Sequence, residues 1–435
     1  MKIKKTICCA LCILLAASAC GCGEIGGFEL PPLPTFTPEV ITDPLPEASE
    51  ASASSQAEPL PETSDSSFNI VSIKHTELNA YDPQNGEELI LSFSYDTPSV
   101  YIEGKGDISS AINEYVAMQA EGYYTGESYG DGYGEGYINM LTMAEDNYNY
   151  IVNSGAEGLP QEYVSDRRLS VERSDERVLT LVYDNYLYMG GAHGASARRG
   201  YSFDLESGEL LSLEDLADDY TALSSFLVDY MVNSAESDSE LAARIDLLPE
   251  ELGLADALSA LLRSGSWYLD NEGMVIFSDE YEISSYASGP IIFTVPYSEL
   301  SAAADARWIP DTFTGTGSFE ALSPEDISDG GTIIIDRLAV SEEGEELYLK
   351  ANGEVYDVCV STVEFSDGII YHTGNLWHCS YMKDSALQIV SIMPEGMPLL
   401  WVTWRDSAGE HGGCITPNGR DGGYDVSEGE IEAVG

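Results

Sequence analysis

Two clusters of side chains in this 435-residue chain could do chemistry. His193 and Ser196 stand three apart in the run Gly190-Gly191-Ala192-His193-Gly194-Ala195-Ser196. A serine beside a histidine base is the start of a nucleophilic hydrolase. The run lacks the second glycine of a strand-to-helix nucleophile elbow, and no motif nominates an acid partner. The preferred reading is a turn histidine that bonds local backbone. The second cluster is His378-Cys379 with His411-x-x-Cys414. Cysteine with histidine suits zinc. Neighbours on a strand point to opposite faces, so His378 and Cys379 cannot both ligate from mid-strand. A Cys379–Cys414 disulfide explains the cysteines with less, and neither metal nor cofactor is expected. The chain has no EF-type loop, Walker loop, HExxH or dinucleotide fingerprint.

Charge narrows the partners. The formal net charge is −56, with 75 acidic against 19 basic residues. Such a surface repels nucleic acid and anionic lipid headgroups, and it attracts cations or basic proteins. The balance argues against nucleic-acid binding.

Residues 1–19 read as a lipoprotein signal peptide. Lys2, Lys4 and Lys5 form a positive start, and Ile7–Ala17 is an apolar run too short to span a bilayer comfortably. Ala17-Ser18-Ala19-Cys20 has the small residues that precede a lipidated cysteine. Cleavage before Cys20 would remove those three lysines and take the charge to −59. No second apolar run reaches transmembrane length. The expectation is a protein held by lipid on Cys20 at the extracellular face of the bacterial cell membrane, with no cytoplasmic part. Cys8, Cys9 and Cys12 leave with the leader, and Cys22 sits beside the lipidated residue. That leaves Cys359, Cys379 and Cys414 in folded sequence, enough for one bridge in an exported domain.

The elements that must position these residues follow in order. Residues 20–67, rich in Pro, Ser, Glu and Ala, have too few large apolar residues to fold and read as a tether. Ile70–Thr76 and Glu87–Asp96 read as strands, with Asn85-Gly86 between them. Ile108, Ile112, Tyr115 and Val116 fall on one helical face, and Ile138–Val152 repeats the pattern. Between them, Gly122–Tyr137 interleaves Tyr, Gly and acids and reads as an insertion in a helical hairpin. Val164–Leu205 returns to strands. Arginines gather there, expected to pair with neighbouring acids. Ser212 starts a short helix with acids in its first turn. Three helical patterns follow, the second opened by Ser237-x-x-Glu240 and the third by Pro249. Trp267–Phe277 is a hairpin, and Ile291–Val295 is the last strand before Pro296–Leu300. Residues 302–317 read as a linker. A β-meander follows, in which Asn352-Gly353 signals a hairpin and Asp367-Gly368 and Gly374-Asn375 mark further turns.

Residues of about 72–300 resemble a family of exported bacterial domains. Its members include the extracellular region of the anti-sigma factor RsiV and the N-terminal region of the deacetylase PdaC. The resemblance rests on Gly190-Gly191-Ala192-His193-Gly194, Tyr201–Leu205 with Ser207-Gly208, Leu211–Leu216, Trp267–Leu269, Tyr281–Ile283 with Tyr286 and Gly289, and Val295–Leu300. It implies an α+β fold of antiparallel sheets with packed helices. In RsiV this region binds lysozyme. Where that family carries prolines near the two tyrosines, this chain has Glu280 and Ser285. It also lacks the membrane helix that RsiV-type signalling uses and the metal-dependent catalytic domain that PdaC-type deacetylation uses.

The expected organisation is a leader (1–19), a tether (20–67), an N-terminal α+β subdomain (68–185), an RsiV-like α+β subdomain (186–301) and a small all-β C-terminal domain (318–428). The expected function is non-catalytic: a surface lipoprotein binding a basic, lysozyme-type protein or cell-wall peptidoglycan, with Tyr281, Tyr286 and Tyr297 as aromatic anchors. The competing classes are a cell-wall-modifying or metal-dependent enzyme and a structural envelope protein.

Overall fold

The computed structural model describes residues 68–84, 86–126, 136–154, 161–248, 252–322, 334–335, 345–366, 369–391, 399–417 and 424–428. The expected leader, Cys20 and the tether lie outside them, as do Pro249 and most of the Tyr/Gly insertion. All described residues fall in one compact unit, Ser54–Gly435.

The chain opens with an antiparallel pair, β1 (Asn69–Tyr81) and β2 (Leu89–Ile102), followed by helices α1 (Gly106–Thr125) and α2 (Tyr137–Ser154). Strand β3 (Tyr163–Ser174) then joins β2 in parallel, and β4 (Val178–Tyr188) and β5 (Ala195–Asp204) extend the sheet antiparallel. Alternation decides which faces meet. Val71 and Ile73 on β1 and Leu179 and Leu181 on β4 turn inward, and Ile112 and Val116 of α1 close over them.

A second layer comes from α3 (Tyr220–Ser237), α4 (Ser239–Arg244), α5 (Leu254–Ser259), a small sheet of β6 (Trp267–Leu269), β7 (Gly273–Phe277) and β8 (Ile292–Pro296), and α6 (Tyr297–Leu300). Leu223, Leu227 and Met231 recur every four residues on α3 and are fully buried against Met274, Ile276 and Val295. Each is worth roughly 1.5–3 kcal/mol of burial. The cap between α3 and α4 falls one residue later than expected. Asp238, not Ser237, accepts from the Glu240 and Leu241 amides at 2.8 and 3.2 Å. The expected helix start at Ser212 is a single 3-10 turn, Leu213–Leu216. Asp215 closes it by accepting from the Ser212 N–H at 2.8 Å.

The C-terminal part adds β9 (Gly317–Leu322), β10 (Ile334–Ile335), β11 (Glu345–Ser366), β12 (Ile369–Lys383), β13 (Ala386–Ser391), β14 (Leu399–Asp406), β15 (Gly409–Pro417) and β16 (Tyr424–Glu428). The α+β class and its mainly antiparallel sheets stand as expected. The boundaries expected after residue 185 and before residue 318 do not. β12 pairs with β1 through Ile70↔Cys379 and Ser72↔Trp377, so the strands expected as a separate domain continue the first sheet. The main path runs β16-β15-β14-β11-β12-β1-β2-β3-β4-β5. The boundary expected after residue 185 falls inside β4, whose pairing with β5 spans it.

The expected hairpin at Asn352-Gly353 is a bend inside one continuous strand. The first half of β11 pairs with β9 and β13, the second with β12 and β14. Gly353 makes the change of partners at φ 91°. A Cβ there would stand 2.3 Å from the Thr316 carbonyl, so only glycine fits. Long-range hydrogen bonds replace the expected turn: the Gly353 amide donates to Asp384 Oδ1 at 2.9 Å. Gly374 and Asn375, also expected in a turn, lie within β12 opposite Thr362 and Ser361.

Candidate functional site

The β4–β5 turn, residues 189–194, projects the glycine-histidine motif from the end of the sheet path. Gly190 and Gly191 take positive φ of 86° and 108°, and His193 is exposed. Gly194 lets the turn close on its strand, because a Cβ would stand 2.5 Å from the Tyr186 ring. The His193 ring is fixed at both nitrogens. Nδ1–H donates to the Gly194 carbonyl at 2.8 Å, which leaves Nε2 to accept from the Tyr281 hydroxyl at 3.2 Å. Tyr286 covers the ring face, with centroids 3.8 Å and planes 17° apart. Tyr281 lies 6.3 Å from His193 and 6.4 Å from Tyr286, and its plane is within 25° of both. Tyr281 and Tyr286 are 54% and 42% exposed, so the three near-parallel rings form an aromatic surface open to solvent.

The loop between β7 and β8 is pinned to hold these tyrosines. Tyr281 sits at φ 62°, a left-handed conformation that costs a bulky residue of order 1 kcal/mol or more. Its turn is over-determined. The Tyr281 amide donates to the Ser284 carbonyl at 3.0 Å, and the Asp279 amide donates to Glu282 Oε2 at 3.0 Å. Arg199 meets Asp279 at 2.9 Å, while Arg263 donates to Glu282. The next turn hangs on Asp246, whose carboxylate accepts from the Ser285 amide (2.6 Å), the Ser285 hydroxyl (2.8 Å) and the Ser288 hydroxyl (3.1 Å). These bonds hold the Asp246 carboxyl below the usual carboxylate range. Buried Ile283 anchors the loop in the core between the two turns. The two departures from the family's prolines take part directly. Ser285 donates an N–H that proline lacks, and Glu280 Oε2 accepts from the Ser196 amide at 3.2 Å.

The structure therefore brings together His193, Tyr281 and Tyr286, which sequence reasoning named separately. It does not bring Tyr297 to them. Tyr297 is buried: its hydroxyl accepts from Arg173 Nη1 at 2.5 Å and donates to the Asp270 carbonyl at 2.7 Å. It is a structural residue and not a ligand anchor. His193 makes no pair with Ser196, because both its ring nitrogens are engaged elsewhere.

The expected Cys379–Cys414 bridge is not formed. None of Cys359, Cys379 and Cys414 is in a disulfide. Cys379 lies on β12 and Cys414 on β15, with β11 and β14 between them in the sheet. Three strand spacings separate the two residues by about 14 Å, twice the roughly 7 Å limit for a bridge. Burial pushes the Cys359 and Cys379 thiols up to about 12. His378 Nε2 bonds Asp357 at 2.6 Å, and His411 Nε2 bonds Asp406 at 2.9 Å. No group of three or more His, Cys, Asp or Glu among the described residues is placed to hold a metal ion. Arg168, Arg173, Arg177, Arg198 and Arg199 pair with acids as expected. Arg167 is buried, with its guanidinium 4.1 Å from the Tyr183 ring centroid and 5.2 Å from that of Tyr123.

With this geometry in place, the chain can be set beside known proteins. Residues 218–298 match the family described as a protein of unknown function, DUF3298. The matched stretch holds Tyr281 and Tyr286 and begins after the glycine-histidine motif. Two members of that family are among the solved structures similar to this chain. One is a DUF3298 family member from Bacteroides fragilis, 18% identical, covering 55% of this chain and 94% of its own, with a TM-score of 0.41. The other, from Pseudomonas aeruginosa PAO1, is 15% identical and covers 55% of this chain and 97% of its own, with a TM-score of 0.37. No curated protein matches the chain. No helix among the described residues is long and apolar enough to cross a membrane.

Proposed function

We propose that this protein is a non-catalytic surface lipoprotein whose His193–Tyr281–Tyr286 surface docks a basic, lysozyme-type protein. The observation that carries the reading is the pinned, solvent-open aromatic surface, on which the glycine-histidine motif meets two tyrosines from a distant loop. Rigid exposed aromatics supply contact area at low entropic cost, and their faces attract guanidinium and ammonium groups. A net charge of −56 supports a basic partner, since it would speed encounter and make it sensitive to salt. The resemblance to the RsiV region supports the same class of ligand. The leader and Cys20 support placement by lipid at the extracellular face of the membrane.

A second reading, cell-wall glycan on the same surface, is favoured by its near-parallel ring faces, which suit the apolar face of a sugar. Calorimetric titration with a basic C-type lysozyme and, separately, with soluble peptidoglycan fragments separates the two. Saturable lysozyme binding that depends on Tyr286 supports the first reading. Fragment binding alone supports the second.

A further inference from the structure

The aromatic surface has a titratable ring at its centre, and the hydrogen bonds around that ring suit both of its charge states. His193 Nδ1–H donates to the Gly194 carbonyl, a bond that neutral and protonated imidazole make alike. Nε2 meets the Tyr281 hydroxyl at 3.2 Å. A hydroxyl rotates to suit its partner, donating to a bare Nε2 and accepting from an Nε2–H. Proton uptake from solvent at Nε2 therefore reverses one hydrogen bond and breaks none. His193 is exposed, so solvent has access to it.

The stack also holds in both states. The Tyr286 ring lies 3.8 Å from His193 and that of Tyr281 lies 6.3 Å away, both near-parallel to it. Tyrosine faces attract an imidazolium as they attract a guanidinium. What changes is the charge the surface presents. The turn itself, residues 189–194, carries no other titratable group. Facing it from the β7–β8 loop are Tyr281, Tyr286 and Glu280, whose carboxylate accepts from the Ser196 amide at 3.2 Å. From β4 come Tyr186, whose ring packs against Gly194, and Tyr188, whose hydroxyl donates to the Gly191 carbonyl at 3.2 Å. On β5, Arg198 is held by both oxygens of Asp184, at 2.7 and 2.9 Å. With His193 neutral, the surface is a set of π faces beside a carboxylate, which suits a cation. With His193 protonated, one face of Tyr286 already holds a cation. A second cation on its other face stands two ring spacings from the first, within the Debye length of about 8 Å at physiological salt.

We propose that His193 gates this surface for cationic ligands: the neutral ring admits a guanidinium or ammonium side chain to the tyrosine faces, and the imidazolium turns it away. The inference rests on the reading of this surface as the docking site of a basic protein, and it assigns the contact to a cationic side chain of that partner.

An exposed histidine exchanges its proton near pH 6.5, so about pH 7.5 and about pH 5.5 bracket the change. The test titrates the full chain at both values, in about 0.15 M salt. One ligand is N-acetyl-L-arginine amide, followed by the His193 and Tyr286 ring resonances. The other is a basic C-type lysozyme, followed by calorimetry. Each should bind about fivefold more weakly at the lower pH. In His193→Phe, which keeps a ring in the stack and removes the proton, that ratio should fall below about twofold. In the unmutated protein, saturating arginine amide should lower the pH at which the His193 ring titrates by about 0.7, the reciprocal of the same coupling. That measurement keeps the test decisive if His193→Phe fails to fold. Absence of lysozyme binding beside pH-dependent binding of the amide would remove lysozyme as the partner and support the gate. No binding of the amide, equal binding of either ligand at the two pH values, a ratio unchanged in His193→Phe, or an unmoved His193 titration would overturn the proposal.

Discussion

His193 and Tyr286 lie face to face at the protein surface, with ring centroids 3.8 Å apart, although one belongs to the turn after β4 and the other to the loop after β7. Their contact joins the large sheet to the small one through side chains that water can reach. On the proposed reading, these ring faces supply the contact area for docking. Tyr286→Ala should therefore weaken lysozyme binding by about 2 kcal/mol, roughly thirtyfold, with little change in thermal stability. A loss of binding accompanied by a large fall in Tm would instead make Tyr286 a structural residue.

Tyr281 separates strain from recognition. Its φ of 62° disfavours any bulky side chain, and its ring is more than half exposed. Tyr281→Gly should leave Tm unchanged or raise it slightly, by relief of about 1 kcal/mol of strain, while reducing lysozyme binding. A fall in Tm of several degrees would show that the His193 hydrogen bond outweighs the strain.

Asp246 predicts a pH response confined to the loop between β7 and β8. A carboxyl whose folded pKa is depressed contributes stability that is complete above its unfolded value of about 3.9 and is lost as pH falls through the lower folded value. Hydrogen exchange at the Ser285 amide should be slow at neutral pH and accelerate only below about pH 4. Asp246→Ala should give fast exchange at every pH. Protection of that amide in Asp246→Ala would show that the loop is held without the carboxylate.

Arg173 predicts the opposite pattern. It is fully buried, bonded to Asp175, the Tyr297 hydroxyl and the Trp308 carbonyl, and it ties the β3–β4 turn to the chain after α6. Arg173→Met should cost about 3 kcal/mol in chemical denaturation, because the partners are left unmatched. Tyr297→Phe should cost about 1 kcal/mol, and neither change should alter the lysozyme affinity of the folded protein. Loss of affinity in Tyr297→Phe would return that residue to the binding surface.

The thiols give a chemical check on the sheet order. Cys359, Cys379 and Cys414 should all be alkylated in the denatured, unreduced chain, and reductant should leave Tm unchanged. In the folded protein Cys379 should react last, since it is fully buried and its thiol is pushed up to about 12. A bridged Cys379–Cys414 peptide would contradict the strand order β12-β11-β14-β15.

Local patterning made much of this fold legible. The four-residue spacing of Leu223, Leu227 and Met231 and the alternation through β3 to β5 reflect burial that a single element enforces. What stayed hidden depends on partners distant in sequence. Asn352-Gly353 has the composition of a tight turn, yet β9 packs against Gly353 and converts the turn to a bend. The cysteines sit in an exported-looking chain, yet sheet order keeps Cys379 and Cys414 apart. His193, Tyr281 and Tyr286 each belonged to a recognisable motif. Their assembly depends on Asp246, Glu280, Arg199 and Arg263, polar residues whose spacing gives no sign of a shared loop.

The most direct measurement is calorimetric titration of the protein with a basic C-type lysozyme, at low and at moderate salt, beside Tyr286→Ala. The account predicts saturable binding that persists at moderate salt and is weakened about thirtyfold by the substitution. Binding that vanishes with salt and ignores Tyr286→Ala would mean that only the charge of −56 attracts lysozyme, and the aromatic surface would not be its docking site.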